Sequence, residues 1–420
     1  MKKILYLSPY PLDLGGAESI IFKIYARCVE KNVQFHFAVF SHKKSIRDSD
    51  VYALGGKIHY LGYYSILRCP VKRLVTVYRC VKNGDYDNVL MGTHYPHYSL
   101  CLLVAKFAGA KTLALRSTNA DTDNWFLKCL NKYDKFLARI SSNVRFAPSE
   151  LAADYLFGDN SLKKYNVHLL KNGIDTSLFS FGDERRCKIR RELCLENRLV
   201  IGHVGRLEVQ KNHKFLLEIF SEIVKIRDDT VLVMVGKGDL KGSIVNYAKD
   251  LGISEKIIFT GIRKDVPDCL MSMDVMVFPS FFEGMPNAVI EAQTTGLPCL
   301  VSDTVTKECG VTDIVEFLSL KQSPKVWAEK ALQMVKCQVD RKMYAEKMRL
   351  AGYDITDVVV SGGLAVNTSS AGVALNGLGA TTEMTGTTGA YLENSSVNKN
   401  SEDTNGDVVV TAYDAATLND

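Results

Sequence analysis

Several features missing from this chain of 420 residues each remove a class of function. No run of about 18 apolar residues occurs, so no segment reads as a membrane-spanning helix. The opening Met1-Lys-Lys-Ile-Leu-Tyr-Leu resembles a secretory leader only briefly, because Asp13 and the glycines after it interrupt the apolar stretch. The 11 cysteines, scattered from Cys28 to Cys337, contain no CxxC pair and no regular spacing. They read as reduced thiols of a soluble, cytoplasmic protein. No GxxxxGK[ST] element is present, and neither Gly15-Gly16-Ala17-Glu18 nor Gly236-Lys237-Gly238 completes a GxGxxG fingerprint. An ATP-driven machine and a nicotinamide dehydrogenase are both poorly supported.

Strong net charge is also lacking. A balance of +5 argues against a dedicated nucleic-acid protein. Its distribution is uneven, with 22 Lys and Arg against 11 Asp and Glu in residues 1–150. Residues 356–420 hold one lysine, Lys399, against eight acids, and contain no Cys, Trp, Arg or His. That segment reads as an appended, disordered polar tail, with a small β-module as the alternative.

What is present is an alternation of short apolar runs and helical patterns, repeated twice. Strands are expected at Ile4–Leu7, Phe35–Phe40, Lys57–Leu61, Asn88–Met91, Thr112–Leu115 and Val144–Ala147, then at Leu199–Val204, Val231–Val235, Ile257–Thr260, Val275–Pro279 and Pro298–Ser302. Helices such as His213–Ile226 and Leu240–Leu251 separate them. This rhythm predicts an α/β chain with two doubly wound parallel sheets. The expected domains are 1–170 and 171–355, facing a cleft at the carboxyl ends of their strands, followed by the tail 356–420.

The nine residues Glu283-Gly-Met-Pro-Asn-Ala-Val-Ile-Glu291 are the most informative. Pro286 and Asn287 signal a helix start, and Gly296 with Pro298 a stop. Glu283 then precedes the helix and Glu291 lies one turn inside, their backbones roughly 12 Å apart if the stretch were all helical. Two carboxylates that far apart suit different hydroxyls of one extended ligand; the plain reading is an ordinary helix with two surface glutamates. Arg206 and Lys211 follow the run Leu199–Val204, where a guanidinium fork and an ammonium could neutralise a diphosphate, or form a solvated loop. Asp48-Ser-Asp50 and Asp121-Thr-Asp123 match a short metal–nucleotide pattern but follow no strong strand. His94 and His97 lack a third ligand. Two stretches read as basic amphipathic helices. Leu74, Val75, Tyr78 and Val81 form one apolar stripe flanked by Lys72, Arg73, Arg79 and Lys82. Leu130, Tyr133, Leu137 and Ile140 form the other, beside Lys128, Lys132, Lys135 and Arg139. Each either packs on a sheet or meets an anionic membrane surface.

Taken together, GGAESI (15–20), LLKNGIDTSLF (169–179), IGHVGRLEVQKNHKFLLEIF (201–220), VGKGDL (235–240), GISEKIIFTGIRKDV (252–266) and MDVMVFPSFFEGMPNAVIEAQTTGLPCLVSD (273–303) resemble retaining glycosyltransferases of the GT-B fold, family 4, among them bacterial capsule and exopolysaccharide transferases. The resemblance implies two Rossmann-like domains and a nucleotide diphosphate sugar, UDP- rather than GDP-linked, as donor, with no metal and no other cofactor. It implies that Arg206 and Lys211 bind the diphosphate, Glu283 the donor-sugar hydroxyls and Glu291 the ribose. Gly16, Gly205, Gly284, Met285, Pro286 and Asn287 would line the donor phosphates, and Arg263 would lie near the base. His94, Asn119 and Glu18 would face the acceptor, a lipid-linked saccharide at the inner membrane surface. Two departures stand out: Arg116-Ser-Thr-Asn119 replaces the HSHN of close relatives, and the GYDI-like Gly352–Ile355 runs into Thr356-Asp-Val-Val-Val rather than a familiar return helix. The rival readings are a nucleotide-sugar epimerase of the same architecture and a non-catalytic nucleotide-sugar-binding subunit.

Overall fold

The computed structural model describes residues 2–9, 11–12, 16–30, 32–62, 69–93, 96–118, 125–336 and 339–361. Strands β1 (Lys2–Ser8), β2 (Val33–Val39), β3 (Lys57–Tyr60), β4 (Asn88–Thr93), β5 (Thr112–Ser117), β6 (Val144–Ala147) and β7 (Val167–Leu169) form a 7-stranded sheet in the order β3-β2-β1-β4-β5-β6-β7. Strands β8 (Leu199–Val204), β9 (Thr230–Val235), β10 (Ile257–Gly261), β11 (Val275–Phe278), β12 (Cys299–Ser302) and β13 (Val315–Leu318) form a 6-stranded sheet in the order β10-β9-β8-β11-β12-β13. Every pairing is parallel. In each sheet the chain winds outward from its first strand and then reverses, leaving a switch point between β1 and β4 and another between β8 and β11. Ligand crevices in such sheets lie beyond the strand ends at those points.

The two expected doubly wound sheets are therefore present, and their sequences explain why. β2 (VQFHFAV) and β9 (TVLVMV) are buried at every residue, because helices cover both faces and no solvent side calls for alternation. The helix His213–Ile226 buries Leu216, Leu217, Ile219, Phe220 and Ile223 on one side. Each such side chain contributes about 1.5–3 kcal/mol. β7 and β13, absent from the sequence reading, are short edge strands whose residues are mostly half-exposed.

Polar groups hold the second sheet's lower end. Arg341 donates to the carbonyls of Leu270, Met273 and Thr295, and Arg186 to those of Met271 and Met273. Arg190 reaches the Ser272 carbonyl, while Asp274 pairs with both Arg186 and Arg190. Three guanidiniums thus satisfy the carbonyls that end the helix Val266–Ser272. Burial, with Arg186 nearby, lowers the Arg341 pKa to about 9.

Two expectations need correction, and one discounted pattern turns out to have a structural use. In the helix Pro70–Gly84 the core face carries Arg73, Val77 and Val81, so Arg73 does not flank the stripe; its guanidinium lies over the Phe40 ring at 3.3 Å and the Tyr98 ring at 4.7 Å. Val75 and Tyr78, placed on the packing stripe, are exposed. Asp48 and Asp50 open the helix Asp48–Ala53: Asp48 accepts from the Ser45 amide and the Tyr60 hydroxyl, and Asp50 pairs with Arg47. Finally, a return helix does exist, at Ile355–Ser361, across the expected boundary at 355. Ile355 and Val358 are 4% and 1% exposed and join the core of the first sheet. The remainder of the tail, 362–420, lies outside the described residues, as do His94, Asn119 and the second DxD candidate.

Candidate active site

The turn after β8 and the loop after β11 meet at the second switch point. Lys211 Nζ lies 2.6 Å from Glu283 Oε1, with both side chains largely buried. The same ammonium sits 4.6 Å from the centre of the Phe278 ring, the last residue of β11. Gln210 stitches the two segments: its carbonyl accepts from the Phe281 amide, and its side chain donates to the Phe282 carbonyl. Ser302 and Thr304 both donate to the Ser280 carbonyl, steadying the loop from β12. Lys211 and Glu283 are thus brought together. Arg206 stays at the rim, 66% exposed and paired with Glu208 at 2.9 Å.

The glycines that failed the dinucleotide fingerprint have a different use. Gly236 has φ +139, and a Cβ there would stand 2.0 Å from the Gly205 carbonyl oxygen. At Gly238 a Cβ would stand 2.4 Å from the Leu207 oxygen. These residues let the loop after β9 lie against the Gly205–Leu207 backbone, where Leu207 donates to the Lys237 carbonyl. The turn bearing Arg206 is therefore held in part by main chain packed against main chain.

The helix Asn287–Thr294 starts after Pro286 and stops at Gly296, whose φ is +65 and whose missing Cβ would meet the Arg341 backbone at 2.5 Å. Both signals read from the sequence hold. Glu291 lies in this helix, with Lys23 Nζ of the first domain 3.8 Å away. Burial raises its pKa, and Lys23 opposes that rise. Arg263 is committed elsewhere: it clasps Asp265 through two nitrogens and reaches Glu192 at 2.9 Å. Those partners raise its pKa. Its structural role is to pin the loop after β10 to the helix Asp183–Glu192.

Several groups missed by sequence reasoning join the two domains at this site. Ser149 caps the helix Glu150–Phe157 and also donates to the Gly284 carbonyl. Glu308 accepts from the Glu150 amide at 2.8 Å. Asn172, inside the quoted stretch LLKNGIDTSLF, donates to the Met285 carbonyl and to Asn287 Oδ1. Asn287 in turn donates to the Gly16 carbonyl at 3.0 Å, and a Cβ on Gly16 would stand 3.0 Å from that amide nitrogen. Glu18 lies half-buried nearby and interacts electrostatically with Tyr6 and Arg47. His97 pairs with Asp134 at 3.6 Å, tying the short helix Pro96–Ser99 to the helix Trp125–Ser141. The only sequence signal for these contacts was small polar residues in loops, which many surfaces share.

Behind the Arg206 turn sit two buried histidines with rings 5.1 Å apart. The Val277 carbonyl, which can only accept, fixes His203 as an Nδ1–H donor. Burial lowers both pKa values, helped by Lys211 at each and by the His213 imidazole at His203, and brings that of His213 to about 4.

Two doubly wound sheets, with a lysine–glutamate pair at one switch point and a glycine-led helix start at the other, place candidate ligand crevices at both switch points. Comparison with known proteins gives the family. Residues 198–337 match the family described as glycosyl transferases group 1. EpsF of Bacillus subtilis (strain 168), which is named as a glycosyltransferase, is 30% identical over 353 residues, covering 82% of this chain and 91% of that one. An Escherichia coli UDP-Gal:alpha-D-GlcNAc-diphosphoundecaprenol alpha-1,3-galactosyltransferase is 29% identical over 254 residues, 57% of this chain and 63% of that one. The chain belongs to this family and is a glycosyltransferase. Its fold also matches Anabaena Alr3699/HepE in complex with UDP-glucose, with TM-score 0.71 and 16% identity over 86% of this chain and 98% of that one. The fold is therefore GT-B.

Proposed function

We propose that this glycosyltransferase moves a sugar from a UDP-sugar to a lipid-linked saccharide, with retention at the anomeric carbon, in the assembly of a surface polysaccharide. The observation that carries the reading is the Lys211–Glu283 pair at the β8/β11 switch point, beside the Met285–Asn287 backbone. An ammonium and a carboxylate 2.6 Å apart can each exchange the other for a ligand group. Lys211 then meets the donor diphosphate and Glu283 the sugar hydroxyls. Arg206, exposed at the rim, adds the second cation, so charge developing on the departing diphosphate is met by fixed positive groups without a metal. Glu291, half-shielded and steadied by Lys23, accepts from the ribose hydroxyls. The UDP complex of the Anabaena neighbour and the diphosphoundecaprenol acceptor in the Escherichia coli relative's name support the donor and acceptor classes.

The acceptor side of the reading rests on exposed apolar groups next to basic ones. On the helix Pro70–Gly84, Val71, Val75 and Tyr78 face solvent beside exposed Lys72, Arg79 and Lys82. On the helix Trp125–Ser141, Tyr133, Phe136 and Ile140 face solvent at helical spacing, beside the half-buried Lys135 and Arg139. Such faces suit the anionic inner surface where a lipid-linked acceptor resides. Among the described residues no helix is long and apolar enough to cross a membrane.

The test is calorimetric binding of UDP and GDP to the purified protein with and without EDTA. UDP binding that ignores EDTA and disappears in Lys211→Ala is the expected result. Binding of neither nucleotide, or binding indifferent to Lys211, would refute the site.

A further inference from the structure

One thread of hydrogen bonds crosses from the first domain to the second and back. Arg116, one residue before the end of β5, is 7% exposed, and its Nη2 donates to Asn172 Oδ1 at 2.5 Å. Asn172, also 7% exposed, lies in the connection between the sheets; its Nδ2 donates to Asn287 Oδ1 at 2.5 Å and to the Met285 carbonyl at 3.3 Å. Asn287 Nδ2 then donates to the Gly16 carbonyl. No carboxylate pairs with Arg116 in this thread, and its burial, only partly offset by Tyr6, lowers its pKa to about 10.

The chemistry of the ends makes the thread directional. A guanidinium can donate but never accept, and the carbonyls of Met285 and Gly16 can accept but never donate. With both ends fixed, each of the two side-chain amides has one orientation that satisfies all its contacts. Flipping Asn172 would set its NH₂ against Arg116 and its oxygen against the Met285 oxygen. Flipping Asn287 would set oxygen against oxygen at Gly16. Buried polar groups left in such contacts cost about 1–3 kcal/mol each.

We infer that Arg116 and Asn172 are positioning residues that latch the two domains together and set the Met285–Asn287 loop for the nucleotide sugar. The inference rests on the donor-site reading above for its effect on nucleotide affinity, but not for the latch itself. Through Asn172 the loop backbone is held where it meets the donor, and through Asn287 the same loop is tied to the first turn of the helix Gly16–Glu30. A rearrangement of the loop on donor binding is thereby transmitted to the acceptor-side domain.

The decisive variant is Asn172→Asp. It preserves shape and keeps an acceptor for Arg116, yet replaces the donating nitrogen by a second acceptor. If Asn287 turns to donate to the new carboxylate, it loses Gly16; if it does not, two oxygens face each other. Three measurements on the full chain separate the possibilities: thermal melting, UDP affinity by calorimetry, and amide hydrogen exchange of segments 16–20 and 284–290 without ligand. Asn172→Asp should melt within a few degrees of wild type, bind UDP at least about tenfold more weakly, and exchange faster in both segments. Arg116→Lys alone, which still donates to Asn172 Oδ1, should keep most of the protection seen in wild type. Unchanged exchange in both segments would overturn the latch, whatever the UDP affinity. Faster exchange with UDP affinity unchanged would overturn the role in donor positioning. Failure of the wild type to bind UDP would strike the donor-site reading alone, while exchange still decides the latch. Should Asn172→Asp not fold, Asn287→Ser removes the amide that joins Asn172 to Gly16 and must accelerate exchange in 16–20.

Discussion

The two sheets share one winding order, yet their switch points are furnished differently. At β8/β11 the strand ends carry opposite charges in direct contact, Lys211 against Glu283, with Arg206 at the rim. At β1/β4 the corresponding neighbourhood offers the Gly16 backbone, and a buried guanidinium, Arg116, near the end of the adjacent β5. The surfaces differ in the same sense, since the first domain's helices expose apolar groups among lysines and arginines. The two similarly wound halves therefore differ in what they present, paired opposite charges at one switch point against backbone and a buried guanidinium at the other, a contrast that suits the donor and acceptor roles proposed above.

Removing charge from the charged switch point should break this contrast most. Lys211→Ala and Glu283→Gln should each lower the transfer rate by about 10²–10³, the usual loss for a group aimed at developing charge, with little change in melting for Glu283→Gln. A radiolabelled UDP-sugar assay on membrane extract reads this, and retained turnover would dissolve the proposed division. Gly236→Ala comes next. With φ +139 and a methyl 2.0 Å from the Gly205 oxygen, it should cost more than about 2 kcal/mol in urea unfolding and misplace the turn that carries Arg206.

Acid should affect both domains, because each contains a buried histidine pair. His36 and His59 both bond the Tyr86 hydroxyl in the first, and burial lowers the His36 pKa to about 4. His203 and His213 form the pair of the second. A base held neutral by burial binds its proton more weakly folded than unfolded. Its contribution is thus complete above the ordinary value near 6.5 and is lost as pH falls toward about 4. For each pair the loss should appear as a melting temperature that falls between pH 7 and pH 4. His36→Gln and His213→Gln should flatten that decline separately, and a melting profile unchanged between pH 7 and pH 4 would contradict the assignment.

The smallest stability effect should come from the exposed face of the first domain. Val75→Glu with Tyr78→Glu should leave melting within about 0.5 kcal/mol of wild type. The same pair should reduce cosedimentation with anionic vesicles about tenfold, and binding should weaken with salt. Vesicle binding untouched by this pair would show that the membrane contact lies elsewhere.

Most of the strands were legible from sequence because their apolar runs are bounded by turn residues, and the fully buried β2 and β9 left no ambiguity of face. The start and stop of the helix Asn287–Thr294 were legible for the same local reason. Arg73 was misplaced because a sequence pattern ranks arginine as solvent-facing, whereas two aromatic rings supply a buried seat for it. The return helix was obscured because Val358-Val-Val reads as a strand, and only the docking of Ile355 and Val358 on the first domain makes it helical. Asn172 and Ser149 were invisible as contacts, since their partners lie more than a hundred residues away along the chain.

Three of the bonds that join the domains end on main-chain carbonyls, those of Gly284, Met285 and Gly16. A carbonyl is supplied by any residue, so mutation of those positions does not erase the acceptor. Under the donor role proposed for this loop, its side chains can therefore change over time while the joint between the two halves keeps its grip.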